Sequence, residues 1–289
     1  PFLLWDAFQE KKRHLFSPAG LLNLKDPRFN WIRQLTRKQI DRAKGVIRLN
    51  MLEWIRLSVF EKVQLPATEE AEETRKLLDQ MGRLETNQLI DLSQLKANLR
   101  PYQETGLHWL WLLYCYGLSG LLCDDMGLGK THQAMALLAA ISGGDPERQK
   151  KTLVVCPTSV IYHWQELLKT FLPDIRVCIY YGVARTLGSF ETNYDLLLTS
   201  YGILRTGKED LRPFSFELAI FDEIQIAKNQ ASQTHAALRK INAHMRLGLT
   251  GTPMENHLRE LKALFDLILP GYMPSDAVFR DLFINPIEK

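Results

Sequence analysis

Asp124-Asp125-Met126-Gly127-Leu128-Gly129-Lys130-Thr131 stands between a short apolar run, Gly120 to Cys123, and an Ala/Leu/Met-rich stretch at helical spacing, Thr131 to Ile141. Strand, glycine-rich loop and helix in that order make a phosphate-binding loop. Gly127 and Gly129 let the backbone bend tightly and bring bare N–H groups against phosphate oxygens. Lys130 is long enough to reach the β- and γ-phosphates, and the Thr131 hydroxyl suits Mg²⁺. Asp125, Met126 and Leu128 complete the loop. The general pattern has Gly where this chain has Asp124, so the loop has to be read together with the downstream sequence.

About ninety residues on, Phe216 to Phe221 is an apolar strand that runs into two adjacent carboxylates, Asp222 and Glu223, followed by Ile224 and Gln225. This has the form of a Walker B strand. A hard cation takes oxygen ligands, so Asp222 is expected to hold Mg²⁺, while Glu223 is expected to orient and deprotonate an attacking water. Lys130, Asp222 and Glu223 are therefore the candidate catalytic residues, with Thr131 and Asp222 as the metal pair.

These two segments, together with Leu249-Thr250-Gly251-Thr252-Pro253-Met254-Glu255-Asn256, resemble the Swi/Snf-type ATPases of helicase superfamily two. Leu99-Arg100-Pro101-Tyr102-Gln103 is similar to that family's adenine-reading motif, Leu153 to Ser159 with Trp164 to its motif Ia, and Thr199-Ser200-Tyr201 to the next motif. The resemblance covers about residues 96 to 289, and Asp124 is common at its position in this family. It implies ATP and Mg²⁺ as substrate and cofactor, with Arg100 and Gln103 at the base. It also implies double-stranded DNA as the track and an unidentified DNA-bound protein as target. A second, C-terminal RecA-like lobe would close the site with arginines. Gln225, where many relatives carry His, resembles bacterial members, which implies a DNA-associated protein of the bacterial cytoplasm, or of the nucleus in a eukaryote.

Residue chemistry agrees with these roles. Gln103 carries a donor and an acceptor, as the edge of adenine requires. Pro157, Thr158 and Ser159 open a helix after a strand, where a DNA phosphate can sit on free N–H groups without sequence being read. Thr199, Ser200 and Tyr201 are expected to do the same after Tyr194 to Leu198. Thr250, Thr252 and Gln225 are implied to couple the γ-phosphate state to the grip on DNA.

The 289 residues carry a formal net charge of +3 and are 46% hydrophobic, proportions suited to one or two globular domains. There is no apolar run of membrane-spanning length. Cys115, Cys123, Cys156 and Cys178 lack metal-ligand spacing and read as buried free thiols.

The organisation divides near residue 95. Onward, strands expected at Gly120–Cys123, Thr152–Cys156, Arg176–Tyr180, Tyr194–Leu198, Glu217–Phe221 and Met245–Leu249 alternate with helices. The fold class is α/β, a RecA-like, doubly wound, mostly parallel sheet with ligands at the strands' carboxyl ends. Residues 1–95 are expected to be a smaller, mainly helical accessory segment, with helices in Trp31 to Phe60 and from Glu69 to Met81. Residues 96–289 form the first ATPase lobe. The chain begins at Pro1 and ends just after that lobe, so a longer protein is expected, this piece alone hydrolysing ATP slowly or not at all. Two other functions share the motifs: an RNA-directed helicase of the same superfamily, and a non-catalytic scaffold that senses nucleotide.

Overall fold

The computed structural model describes residues 2–49 apart from 19, 27, 28, 30, 33, 34 and 36, the positions 53, 72 and 76, and residues 90–287 apart from 144–149, 183–184, 207–210 and 275. Two compact units divide the chain: Pro1–Ala71 with Gly271–Lys289, and Glu72–Pro270.

In the smaller unit, helix α1 (Phe2–Gln9) buries Trp5 among Ile32 and Leu35, and the indole N–H donates to the Leu35 carbonyl at 3.4 Å. Strands β1 (His14–Ser17) and β2 (Gly20–Asn23) form an antiparallel hairpin, and β3 (Ile40–Asp41) and β4 (Val46–Ile47) form another. The second hairpin corrects the expectation of helices through Trp31 to Phe60. The β-branched Ile40, Val46 and Ile47 flank a turn in which Gly45 takes φ +66° and the Asp41 carboxylate accepts from Lys44 N at 3.1 Å. Such local side-chain bonds and a left-handed glycine draw the backbone away from a helix. The helix expected over 69–81 lies outside the described residues.

The larger unit begins with α2 (Pro101–Cys115), β5 (Gly120–Leu122) and α3 (Lys130–Ser142). It continues with β6 (Thr152–Cys156), α4 (Ile161–Phe171) and β7 (Val177–Tyr180). Next come α5 (Phe190–Asn193), β8 (Leu196–Ser200), α6 (Tyr201–Thr206) and β9 (Ser215–Asp222). It closes with α7 (Gln233–Leu238), β10 (Asn242–Leu249) and α8 (Leu258–Ile268). Six strands form one wholly parallel sheet in the order β5-β10-β9-β6-β8-β7. β6 and β8 are buried along their whole length, as strands covered on both faces must be. Every expected strand is present, with ends moved by up to three residues.

Helix α2 lies close on α3 at Gly106, where an added Cβ would stand 1.9 Å from the fully buried Gln133 amide oxygen. The sheet order carries the main consequence for the site. β5, β10, β9 and β6 are successive neighbours, so the segments leaving their carboxyl ends crowd together.

Candidate nucleotide site and the strand ends around it

The chain leaves β5 at Leu122 and enters α3 at Lys130 through Gly127 (φ 84°) and Gly129 (φ 77°), two backbone conformations that favour glycine. Gly127 has nothing within 4 Å of where a Cβ would point, so its approach to a phosphate is unobstructed. The buried Lys130 ammonium donates to the carbonyls of Asp124 at 2.7 Å and Asp125 at 3.1 Å. Asp124 has its own task, which sequence reading missed. Its carboxylate accepts from Gln133 Nε2 at 2.8 Å and ties the start of the loop to α3.

Of the adenine-reading candidates, Gln103 reaches the same loop. Gln103 accepts from Arg100 N at 2.9 Å and donates to the Leu128 carbonyl at 3.1 Å, and Tyr102 donates its hydroxyl to that carbonyl at 3.1 Å. Both halves of the Gln103 amide are therefore engaged within the protein, whereas the expectation had them facing a base. The cause is helix capping: Gln103 lies in the first turn of α2 and answers a free N–H there. Arg100, just before that helix, is exposed.

Asp222 closes β9, and three groups fix it. Trp164 donates its indole N–H to Oδ2 at 2.7 Å, Glu223 N donates to Oδ1 at 3.1 Å, and the Tyr201 hydroxyl donates to the Asp222 carbonyl at 2.7 Å. Burial pushes the Asp222 carboxyl above its ordinary range, the Trp164 hydrogen bond opposes this, and the neighbouring Glu223 charge adds to it. Glu223 takes left-handed backbone (φ 50°, ψ 50°), which costs a residue with a Cβ about 1–2 kcal/mol. Its carboxylate accepts from Gln225 Nε2 at 2.6 Å, while Gln225 Oε1 is buried with no hydrogen-bond partner among the described residues. A strained backbone and an orphaned acceptor thus meet beside the second carboxylate.

The loop after β10 lies against the phosphate loop. A Cβ on Gly251 would meet the Met126 side chain at 2.9 Å and Lys130 Nζ at 3.7 Å. Thr250 is fully buried, its N–H donates to the Leu122 carbonyl at 3.1 Å, and its hydroxyl accepts from Thr252 N at 3.0 Å. Thr252 donates to Glu255 at 3.4 Å. Lys228, beyond Gln225, pairs with Glu255 at 2.5 Å and Glu260 at 3.3 Å, so the segments after β9 and β10 share one cation.

The proposed nucleic-acid contacts divide. Thr158 and Ser159 are exposed in the 3-10 turn that follows Pro157 and leads into α4, and so are open to a backbone phosphate. Thr199, Ser200 and Tyr201 are buried, which corrects the expectation that they present hydroxyls outward. β8 extends two residues past the expected end, so the Thr199 hydroxyl bonds the Tyr180 carbonyl at 2.8 Å, and Tyr201 braces Asp222.

Among the thiols, Cys156 and Cys178 are buried as expected, Cys123 is exposed just past β5, and none of the four is in a disulfide. Burial and nearby Asp222 push Cys156 up to about 12. Among the described residues there is no other cluster fit for a metal and no helix long and apolar enough to cross a membrane. The donor set does suit Mg²⁺ beside a nucleotide: a half-exposed hydroxyl at Thr131 and a carboxylate at Asp222, each of whose oxygens accepts one hydrogen bond and keeps a further lone pair.

A profile of the SNF2-related domain matches residues 102–289. The chain is 37% identical over 206 residues to "TATA-binding protein-associated factor mot1" of Aspergillus fumigatus, covering 67% of this chain and 11% of that protein. It is 40% identical over 199 residues to the "Putative ATP-dependent helicase/translocase YwqA" of Bacillus subtilis, covering 67% of this chain and 21% of the relative. The solved "Sulfolobus solfataricus SWI2/SNF2 ATPase core in complex with dsDNA" superposes with a TM-score of 0.61 at 33% identity, over 70% of this chain and 42% of that one. The chain thus spans a small part of the curated relatives it matches.

Proposed function

The chain belongs to the SNF2-related ATPase family, and on that premise we propose that it carries the nucleotide-binding lobe of an ATP-driven translocase that works on double-stranded DNA and remodels protein–DNA complexes. The observation that supports this most is that Lys130, Asp222 and Glu223, far apart in sequence, leave strands separated by β10 alone.

Each residue then has a task. Lys130 gives up the two loop carbonyls and takes the β- and γ-phosphate oxygens of ATP, with the N–H groups of residues 125–131 around them. Gln103 and Arg100 approach the base once the Gln103 bond to Leu128 is exchanged. Thr131 and Asp222 hold Mg²⁺, which when bound neutralises charge building on the phosphoryl oxygens. Glu223 orients the attacking water and accepts its proton. Thr250, Thr252 and Gln225 report whether the γ-phosphate is present, because their loops touch both the phosphate loop and the second carboxylate. Pro157, Thr158 and Ser159 grip the DNA backbone, while Thr199, Ser200 and Tyr201 act from beneath by fixing the strand ends. A second RecA-like lobe supplies arginines to the transferring phosphoryl group.

ATP hydrolysis by the intact protein, compared with double-stranded DNA, single-stranded DNA and RNA and with Lys130→Ala as the blank, tests the reading. Duplex DNA should stimulate most. Equal or greater stimulation by RNA would assign an RNA-directed helicase instead, and no Lys130-dependent turnover would leave a nucleotide-sensing scaffold.

A further inference from the structure

Charge is divided unevenly along this chain. Residues 1–50 hold eleven Lys and Arg against four Asp and Glu, a net +7, whereas the whole chain carries +3, so the other 239 residues carry −4. Residues 1–50 belong to the smaller unit and lie outside the matched region of residues 102–289.

Two clefts among the described residues of that unit differ in how their cations are used. One, of about 480 Å³, is lined by Trp5, Asp6, Gln9, Glu10, Arg37, Ile40 and Arg42, and there Arg42 is paired with Asp6. The other, of about 420 Å³, lies between the end of α1 and the β1–β2 hairpin. Its charged lining residues are all basic: Lys11, Lys12, Arg13 and Lys25 over a floor of Phe8 and Leu24. Lys11 takes left-handed backbone (φ 55°), so three consecutive cations turn around the cleft where an extended chain would alternate them. The hairpin closes the other side, since Leu24 N donates to the Arg13 carbonyl at 2.9 Å and sets Lys25 opposite. Lys12 pairs with Glu10 at 2.6 Å, but both are more than half exposed, and a solvent-screened pair of this kind is weak and exchanges readily. Lys11, Arg13 and Lys25 form no ion pair among the described residues.

We propose that this cleft is a second nucleic-acid contact, in which Lys11, Arg13 and Lys25, with Lys12 at the rim, take consecutive phosphates of a DNA backbone. Four like charges gathered with one exposed counterion, Glu10, repel, and a polyanion relieves them by releasing its own condensed cations. The inference rests on DNA being the ligand of the ATPase unit, and it gives the smaller unit the role of an anchor that holds the track while the motor turns over.

The test is nucleotide-free binding of a fluorescent 20-bp duplex to the full chain over a salt series. The variant is Lys11→Gln/Arg13→Gln/Lys25→Gln, with Lys240→Gln, exposed just before β10, as the control. Each lost phosphate contact lowers the slope of log K against log salt by about 0.9, so the triple variant should show a slope shallower by about 2–3 and at least about tenfold weaker binding near 0.15 M salt. Unchanged melting shows that the substituted unit is folded, and charge reversal at the same three positions should deepen the loss. Affinity and slope like those of the unsubstituted chain would overturn the inference. Failure of the ATPase reading is separable: it would appear as DNA-independent hydrolysis while this binding still depends on the three cations.

Discussion

At the scale of the residue, the contact that decides most is Trp164 on Asp222. A carboxylate made costly by burial is kept aimed by one indole N–H at 2.7 Å. Hydrogen bonds to charged groups are worth about 1.5–3 kcal/mol, so Trp164→Phe, which keeps most of the packing and removes the donor, should lower hydrolysis at least about tenfold. A Mg²⁺ titration of that hydrolysis should show half-saturation moved to higher metal. An unchanged Mg²⁺ requirement would mean that the indole serves packing only. Trp164 was legible as part of a motif, but its partner was not, because residues 164 and 222 meet only once β6 and β9 pair in the sheet. The same holds for Gln133 on Asp124, nine residues away around a loop whose path depends on two positive φ values.

At the scale of the element, Gly106 and Glu260 each give a prediction. Replacing a helical glycine by alanine ordinarily stabilises by up to about 1 kcal/mol. At Gly106 the sign should reverse, because the new methyl would stand 1.9 Å from a buried amide oxygen, and crowding a packed interior costs about 1–3 kcal/mol. Chemical denaturation of Gly106→Ala decides between the two signs. Glu260, in the first turn of α8, accepts from Glu255 N at 2.9 Å and Asn256 N at 3.1 Å and faces Lys228. These bonds, those to the backbone first, hold its carboxyl at about 2, below the ordinary 4.5. A lowered folded value gives stability that is present above about pH 4.5 and lost as pH falls through about 2. Glu260→Gln should therefore cost about 1–2 kcal/mol near neutral pH, and denaturation series at falling pH should show its gap from the unsubstituted chain closing across that window. The strands of the larger unit were legible because apolar, often β-branched runs ending in Gly, Pro or carboxylates have few alternatives. The β3–β4 hairpin was not, since aromatic and basic residues at helical spacing outweighed a single Gly45 turn. Thr199 and Ser200 misled for a related reason: hydroxyls at a strand end cap inward or outward according to where the strand stops.

At the scale of the whole molecule, the two units should melt apart. The smaller has a core built on Trp5, Ile32 and Leu35, whereas the larger packs a continuous six-stranded interior. Calorimetry should resolve a lower transition that Trp5→Ala removes or lowers, leaving the upper one within about 2 °C; a single transition moved as a whole by that substitution would contradict this. Glu223 works against stability instead. Its left-handed backbone destabilises the larger unit by about 1–2 kcal/mol, and glycine, which has no Cβ, escapes that strain. Glu223→Gly should leave the melting temperature of the larger unit unchanged or raise it, while abolishing hydrolysis. On the proposed reading, robustness and turnover pull this one position in opposite directions: what the backbone would gain from glycine, the water-activating carboxylate would lose.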